Sequence, residues 1–369
     1  MKFSSFTGLV IFFLVVVVGG SAHCPARDED KPFVKYEVIA NPGGNVAWSH
    51  KRNLVAFDRQ ADDDYYDLYI MKPDGSGKAC VNCYSRDLPR RNIGQPAWSP
   101  DGKWLVFQAQ KEDHPFTFFG VVAHPSGGIF NDLWVMEYDT GETSILRKIP
   151  ADKDHGTLRP YFSPDGGKIS WSEMYKRPSR WGEGREVGYW KLMVADFVTD
   201  KGDPRLANIK EFKGPGPGFY ENHGFTPDGQ RLIFTSNYKR QEKTVFWSMD
   251  VCILDIETGK IERLTDSGFN EHARFTPDGK KIFWSRSETS ADEGMDYWIM
   301  NPDGTGRKRL TYFNDKNHPQ YNEEPFVAGD FEFGPDGRAV ISYCHDGWKT
   351  LKRVNERIIK IQFPADQLK

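Results

Sequence analysis

The chain lacks most of the devices that announce enzyme chemistry. Its 369 residues contain no Gly-x-Ser-x-Gly elbow, so no serine is raised on a strand–turn–helix. No Gly-x-Gly-x-x-Gly or phosphate loop opens a helix, and no His-Glu-x-x-His occurs. Charge of one sign is missing too. Against 52 acidic residues stand 49 basic ones, for a net charge of −3 with no basic tail or stripe. Nucleic acid is therefore not an expected partner.

Long apolar runs are missing except at the start. Lys2 precedes Leu9-Val10-Ile11-Phe12-Phe13-Leu14-Val15-Val16-Val17-Val18, and Gly20-Ser21-Ala22 supplies small residues. This pattern predicts a signal peptide over 1–22, cleaved after Ala22. The run is short for a membrane span, and none is expected in the mature chain. Cys24 invites a lipid anchor, but His23 stands where a small residue is needed. Plain export is expected, to the periplasm or an equivalent internal compartment.

Cysteine is scarce, with five in all. Cys80-Val81-Asn82-Cys83 is followed by Tyr84, where c-type haem attachment needs His, so no cofactor is expected to be covalently bound. Zinc would want a second pair. A local disulfide between Cys80 and Cys83 is expected in an oxidising compartment, with a free redox pair as the alternative. Cys252 and Cys344 fall in apolar strand patterns and read as buried thiols.

Turns, by contrast, are abundant. In Ala97-Trp98-Ser99-Pro100-Asp101-Gly102-Lys103-Trp104-Leu105-Val106-Phe107, Pro100 presets its φ, Asp101 caps the turn and Gly102 takes positive φ. The unit returns as Phe162-Ser163-Pro164-Asp165-Gly166, Phe225-Thr226-Pro227-Asp228-Gly229, Phe275-Thr276-Pro277-Asp278-Gly279 and Phe333-Gly334-Pro335-Asp336-Gly337. A degenerate copy, Trp48-Ser49-His50-Lys51-Arg52, comes first. Between them lie second units such as Asp67-Leu68-Tyr69-Ile70-Met71 and Tyr297-Trp298-Ile299-Met300. Four strands per repeat predict a propeller blade. The expectation is an all-β, six-bladed β-propeller forming one domain over 23–369, with seven blades as the alternative. The last repeat lacks a fourth strand. Val34-Lys35-Tyr36-Glu37-Val38-Ile39, ahead of the first, is expected to complete it and close the ring.

These aromatic–Ser/Thr–Pro–Asp–Gly turns resemble the TolB-type, WD40-like β-propellers of exported bacterial proteins. The resemblance covers nearly the whole mature chain. It implies the fold and says little of function, because one fold hosts many activities. In overall plan (signal peptide, one whole-chain propeller, no haem motif) the chain is also similar to the haem-free propeller subunit of hydrazine synthase. That likeness implies a binding or scaffold subunit of an exported complex, more a non-catalytic partner than a catalyst. Hydrazine would be made from nitric oxide and ammonium on partner subunits bearing c-type haems, in the anammoxosome. The alternatives are a stand-alone glycan or glycoside hydrolase or lyase, and a TolB-like binder of envelope protein or polysaccharide.

Three long loops are expected on one face. They are Gln108 to Asn131, Ser172 to Gly188 (with Tyr175, Arg177, Arg180, Trp181 and Glu183) and Asp315 to Gly329 (with His318, Tyr321, Glu323 and Glu324). Such loops on a rigid scaffold commonly bind something. Residues just ahead of each anchor aromatic should ring the channel mouth. Alignment puts Asn45, Gln95, Arg159, Asn222, His272 and Asp330 at one level. Glu221 and Glu271 lie one residue further out, with His223 beside them and His155 upstream. Glu221, His223, Glu271, His272 and Arg159 are the catalytic candidates. His223, His272, Glu221, Glu271 and Asp330 are candidate ligands for a divalent metal such as Zn, Mn or Ca. A polar lining that merely holds water fits the same residues.

Overall fold

The computed structural model describes residues 34–113, 124–177, 188–239, 248–289, 293–349 and 352–368. The expected signal peptide, residues 114–123 of the first long loop, and Arg180, Trp181 and Glu183 of the second lie outside them.

Six four-stranded antiparallel sheets form six blades, so the seven-blade alternative falls among the described residues. Blade I comprises Val46–Ser49, Leu54–Gln60, Tyr66–Met71 and Ala79–Cys80; blade II comprises Ile93–Trp98, Trp104–Gln110, Asn131–Glu137 and Thr143–Arg147. Blade III has Gly156–Phe162, Lys168–Lys176, Tyr189–Val198 and Arg205–Phe212. Blade IV has Tyr220–Phe225, Arg231–Ser236, Asp250–Asp255 and Ile261–Arg263. Blade V has Phe269–Phe275, Ile282–Ser287, Asp296–Met300 and Lys308–Arg309. Blade VI joins Val327–Phe333, Ala339–His345 and Arg357–Gln362 to the N-terminal strand Tyr36–Ala40, paired Tyr36 to Ile361 and Val38 to Ile359. The ring is thus closed by chain ends, as the missing fourth strand required. In blade III the second strand runs on to Lys176, so the loop expected from Ser172 starts later.

The middle strands of each blade are largely buried, which is why stretches such as Leu105-Val106-Phe107 read as continuous apolar runs. In blade II, Leu105 and Phe107 pack with Ala56 and Leu68 of blade I, while Val106 packs with Ile169 and Trp171 of blade III. All three are fully buried, each contributing about 1.5–3 kcal/mol.

The recurrent turn is built from its sequence. Ser99 Oγ accepts the Trp104 N–H at 2.8 Å and donates to Asp101 at 2.6 Å, while Asp101 accepts the Lys103 N–H at 2.9 Å. Blades III, IV and V repeat this through Ser163, Thr226 and Thr276. Blade I has no carboxylate here. Its Arg52 reaches out to Asp139 at 2.8 and 2.6 Å and to the Gly102 carbonyl. Blade VI has no hydroxyl, and Asp336 alone accepts both the Arg338 and Ala339 N–H groups.

At the other end of the innermost strands the register slips in blades II to VI. The bulges put Gln95, Arg159 and His272 at φ of 49°, 56° and 53°, a region non-glycine residues seldom occupy. Blade IV places Gly224 at φ 99° instead. These bulges aim the side chains of the channel mouth.

Candidate site at the channel mouth

Three of the six aligned residues converge. Arg159 donates from Nε to Glu221 at 2.5 Å and pairs with Asp330. His272 faces Asp330 through Nδ1 at 3.1 Å and Glu271 through Nε2 at 3.3 Å. The His223 ring lies 5.8 Å from that of His272. One ligand atom each from His223, His272 and Asp330 falls within 4.8 Å of the others. Blades III, IV, V and VI meet at this point.

The other three aligned residues hold the frame. Asn45 and the Gln95 backbone both point N–H groups at Asp58, at 2.8 to 2.9 Å. Gln95 Oε1 accepts the Arg159 N–H at 2.7 Å. Asn222 donates to the Arg159 carbonyl and to Ser170 Oγ, both at 2.9 Å, tying blade IV to blade III. His155 does not join the cluster; it turns back onto Asp152 at 2.6 Å.

Burial governs the protonation states. His223 is held well below the ordinary imidazole range by burial, with the Arg159 charge adding to it. His272 is lowered to about 3 for the same two reasons. Both rings are therefore neutral at pH 7, the form that binds metal. His223 accepts or donates through Nε2 with Thr235 at 2.9 Å, while Nδ1 is buried without a partner. Burial raises Glu221 against the pull of Arg159. Glu271 is pushed up to about 7 by burial, opposed by Arg159 and Arg353, and 22% of its side chain remains open. It is the most accessible group of the set, poised to exchange a proton near neutrality.

A second network borders the first and was not legible in the repeats. Glu356 accepts from Tyr66 at 2.5 Å and from Tyr343 at 2.7 Å. Arg353 donates to Ser126 at 2.9 Å and lies over the rings of Tyr343 and Trp348. Its charge reaches Glu271, His272 and His345. Trp348 and Arg353 sit on a small hairpin, Trp348–Lys349 and Lys352–Arg353, carried by blade VI. Lys349, Lys352 and Arg353 crowd this hairpin, but none of them falls in a repeated position.

Cys80 and Cys83 form a disulfide, while Cys252 and Cys344 are free and buried. Burial pushes the Cys344 thiol up to about 12. The described segments of the three long loops leave the second-to-third strand connections of blades II and III and the link from blade V to blade VI. No helix among the described residues is long and apolar enough to cross a membrane.

Together the ring and the mouth define a six-bladed propeller with a charged, histidine-bearing axial site. No family model matches the chain. Solved structures it is similar to include TolB-like proteins and enzymes. TolB from Acinetobacter baumannii is 19% identical with a TM-score of 0.51 over 85% of this chain, which spans 64% of that structure. An oligogalacturonate lyase in complex with manganese is 12% identical with a TM-score of 0.50, covering 92% of this chain and 98% of the lyase. A gluconolactonase from Xanthomonas campestris is 11% identical with a TM-score of 0.52, covering 90% of each. In sequence, an uncharacterised Agrobacterium fabrum protein is 28% identical over 267 residues, 70% of this chain and 73% of that protein. At these identities the structures establish the fold alone.

Proposed function

We propose that the channel mouth is a metal-assisted acid–base site acting on an acidic carbohydrate. The observation that carries this is the meeting of two neutral imidazoles and Asp330, with His223 Nδ1 buried and unpartnered. Nitrogen and carboxylate donors suit Mn or Zn. The charge balance leaves room for a cation as well: Glu221 and Asp330 share one guanidinium, Arg159, while Glu271 faces the neutral His272. A bound divalent cation would polarise a carboxylate or hydroxyl of the sugar. Arg159 and Arg353 would orient an anionic substrate, and Glu271 would hold or move the proton. Trp348, 40% exposed, offers a face for a sugar ring. The manganese-bound lyase, matched over nearly its whole length, supports the reading from the side of the fold.

The test loads the full chain with Mn²⁺ and Zn²⁺, measures binding by calorimetry, and assays acidic oligosaccharides for cleavage. Stoichiometric binding lost in His223→Ala/His272→Ala, together with cleavage lost in Glu271→Gln, is expected. A folded protein that takes up neither metal sinks the proposal. The binder and scaffold readings then regain the lead: a TolB-like envelope or polysaccharide binder, or an exported complex subunit. For the subunit reading the hydrazine synthase candidate rests on architecture alone, and no solved structure named above is described as a haem-enzyme subunit. Its test is co-purification with c-type haem proteins in fixed ratio. Export itself is an inference from the N-terminal sequence, tested by the N-terminus of the mature protein.

A further inference from the structure

We propose that Cys80 and Cys83 form an exchangeable redox pair, with Asp67 as its proton donor and acceptor, on the outer strand of blade I. The bond links residues three apart, so it closes the kind of short loop in which a disulfide restrains the unfolded chain least. The turn is held without it. Asn82, buried between the two cysteines, accepts the Leu68 N–H at 2.7 Å and donates to Asp67 at 2.7 Å. The Val81 N–H reaches the Leu68 carbonyl at 2.8 Å. The turn therefore has hydrogen bonds of its own beside the disulfide.

The two sulfurs are unlike. Cys83 is exposed and Cys80 is half-buried, with Cys80 Sγ accepting the Cys83 N–H at 3.0 Å. Asp67 Oδ2 lies 3.8 Å from Cys83 Sγ. Burial raises the Asp67 carboxyl, helped by the neighbouring charge of Asp63 and opposed by Asn82. Tyr84, 94% exposed, offers an aromatic face beside the bond for a docking partner.

The co-reactant is a dithiol. Its thiolate attacks Cys83 Sγ and forms a mixed disulfide. The Cys80–Cys83 bond breaks with its electron pair on Cys80, whose thiolate the Cys83 N–H stabilises. The second thiol of the partner then passes its proton to the Asp67 carboxylate as it attacks its own bonded sulfur. Cys83 leaves with that electron pair and takes a proton from Asp67. The protein disulfide gains two electrons and the dithiol becomes a disulfide. In the oxidising direction Asp67 removes the Cys83 proton.

The experiment equilibrates the full-length protein with dithiothreitol and with glutathione buffers, following free thiols and melting temperature together. Reversible reduction with the fold retained is expected, and Asp67→Asn should slow exchange with dithiothreitol roughly tenfold or more at neutral pH. The Cys80→Ser/Cys83→Ser variant controls for folding and should melt close to the wild type. A bond that resists millimolar glutathione, or whose reduction unfolds the protein, overturns the proposal. An unchanged exchange rate in Asp67→Asn removes Asp67 from it.

Discussion

The two ends of the innermost strands make opposite use of repetition. At one end, blades II to V repeat one hydroxyl–carboxylate turn almost atom for atom. At the other end the six aligned residues are Asn45, Gln95, Arg159, Asn222, His272 and Asp330, no two neighbours alike. A turn has a single backbone geometry to satisfy, so its chemistry recurs. A channel mouth is assembled once from all blades, so neighbouring blades contribute different groups. Repetition marks what the fold demands, and divergence within a repeat marks where function is free to differ.

The contrast breaks most sharply at Arg159, where a mouth residue carries structural weight. Among the described residues it is the guanidinium that pairs with both buried carboxylates, Glu221 and Asp330. Arg159→Leu leaves both buried carboxylates without that partner, and a loss of about 3–5 kcal/mol is expected from chemical denaturation. A loss under about 1 kcal/mol would mean that water or a bound cation neutralises them.

Asp58 tests the same end through pH. It is fully buried under the Asn45 and Gln95 N–H groups, and burial raises its carboxyl to about 6. A carboxyl raised on folding favours the native state below the ordinary range near 3.8, and that contribution disappears as pH climbs through about 6. Two units correspond to roughly 3 kcal/mol. Stability should therefore decline from pH 4 to about 6 more steeply in the wild type than in Asp58→Asn. Parallel profiles would place the pH dependence elsewhere.

Gly334 sharpens the contrast at the turn end. By the repeat alone, Gly334→Ser restores the missing hydroxyl and should stabilise blade VI. The structure reverses the sign. A side chain at Gly334 would come within 2.9 Å of the Trp48 ring and 3.0 Å of Ala339. Trp48 is the anchor of blade I, so closing the ring fills the space that the consensus serine would need. The expected outcome is destabilisation of about 1–3 kcal/mol, read as a lower melting temperature. A rise would restore the sequence-based view.

Gly334 also shows where sequence reading ends. The six blades, their anchors, the closing strand Tyr36–Ala40 and the Cys80–Cys83 bond were legible because turn chemistry and spacing are local. The level of the mouth residues followed from aligning repeats. Their pairing did not, because it depends on bulges that turn Arg159 and His272 to positive φ, and nothing in those side chains signals this. The Tyr66–Glu356–Tyr343 network was invisible for a simpler reason: Tyr66 and Glu356 are 290 residues apart and lie outside the repeated positions.

The smallest effect bears on whether the repeated turn acts as a unit. Thr276 Oγ1 accepts the Lys281 N–H at 3.1 Å and donates to Asp278 at 2.7 Å, and Asp278 accepts the Lys280 N–H at 3.1 Å. Each removal alone, Thr276→Ala or Asp278→Ala, should cost about 0.5–1.5 kcal/mol. Because either change also strands the other group, the double variant should cost less than the sum, with a coupling of about 0.5 kcal/mol or more. In blade VI no such coupling exists to be lost, since Asp336 binds both N–H groups unaided. Additive losses at Thr276 and Asp278 would mean that the hydroxyl and the carboxylate merely share a turn, and that the consensus persists through each bond separately.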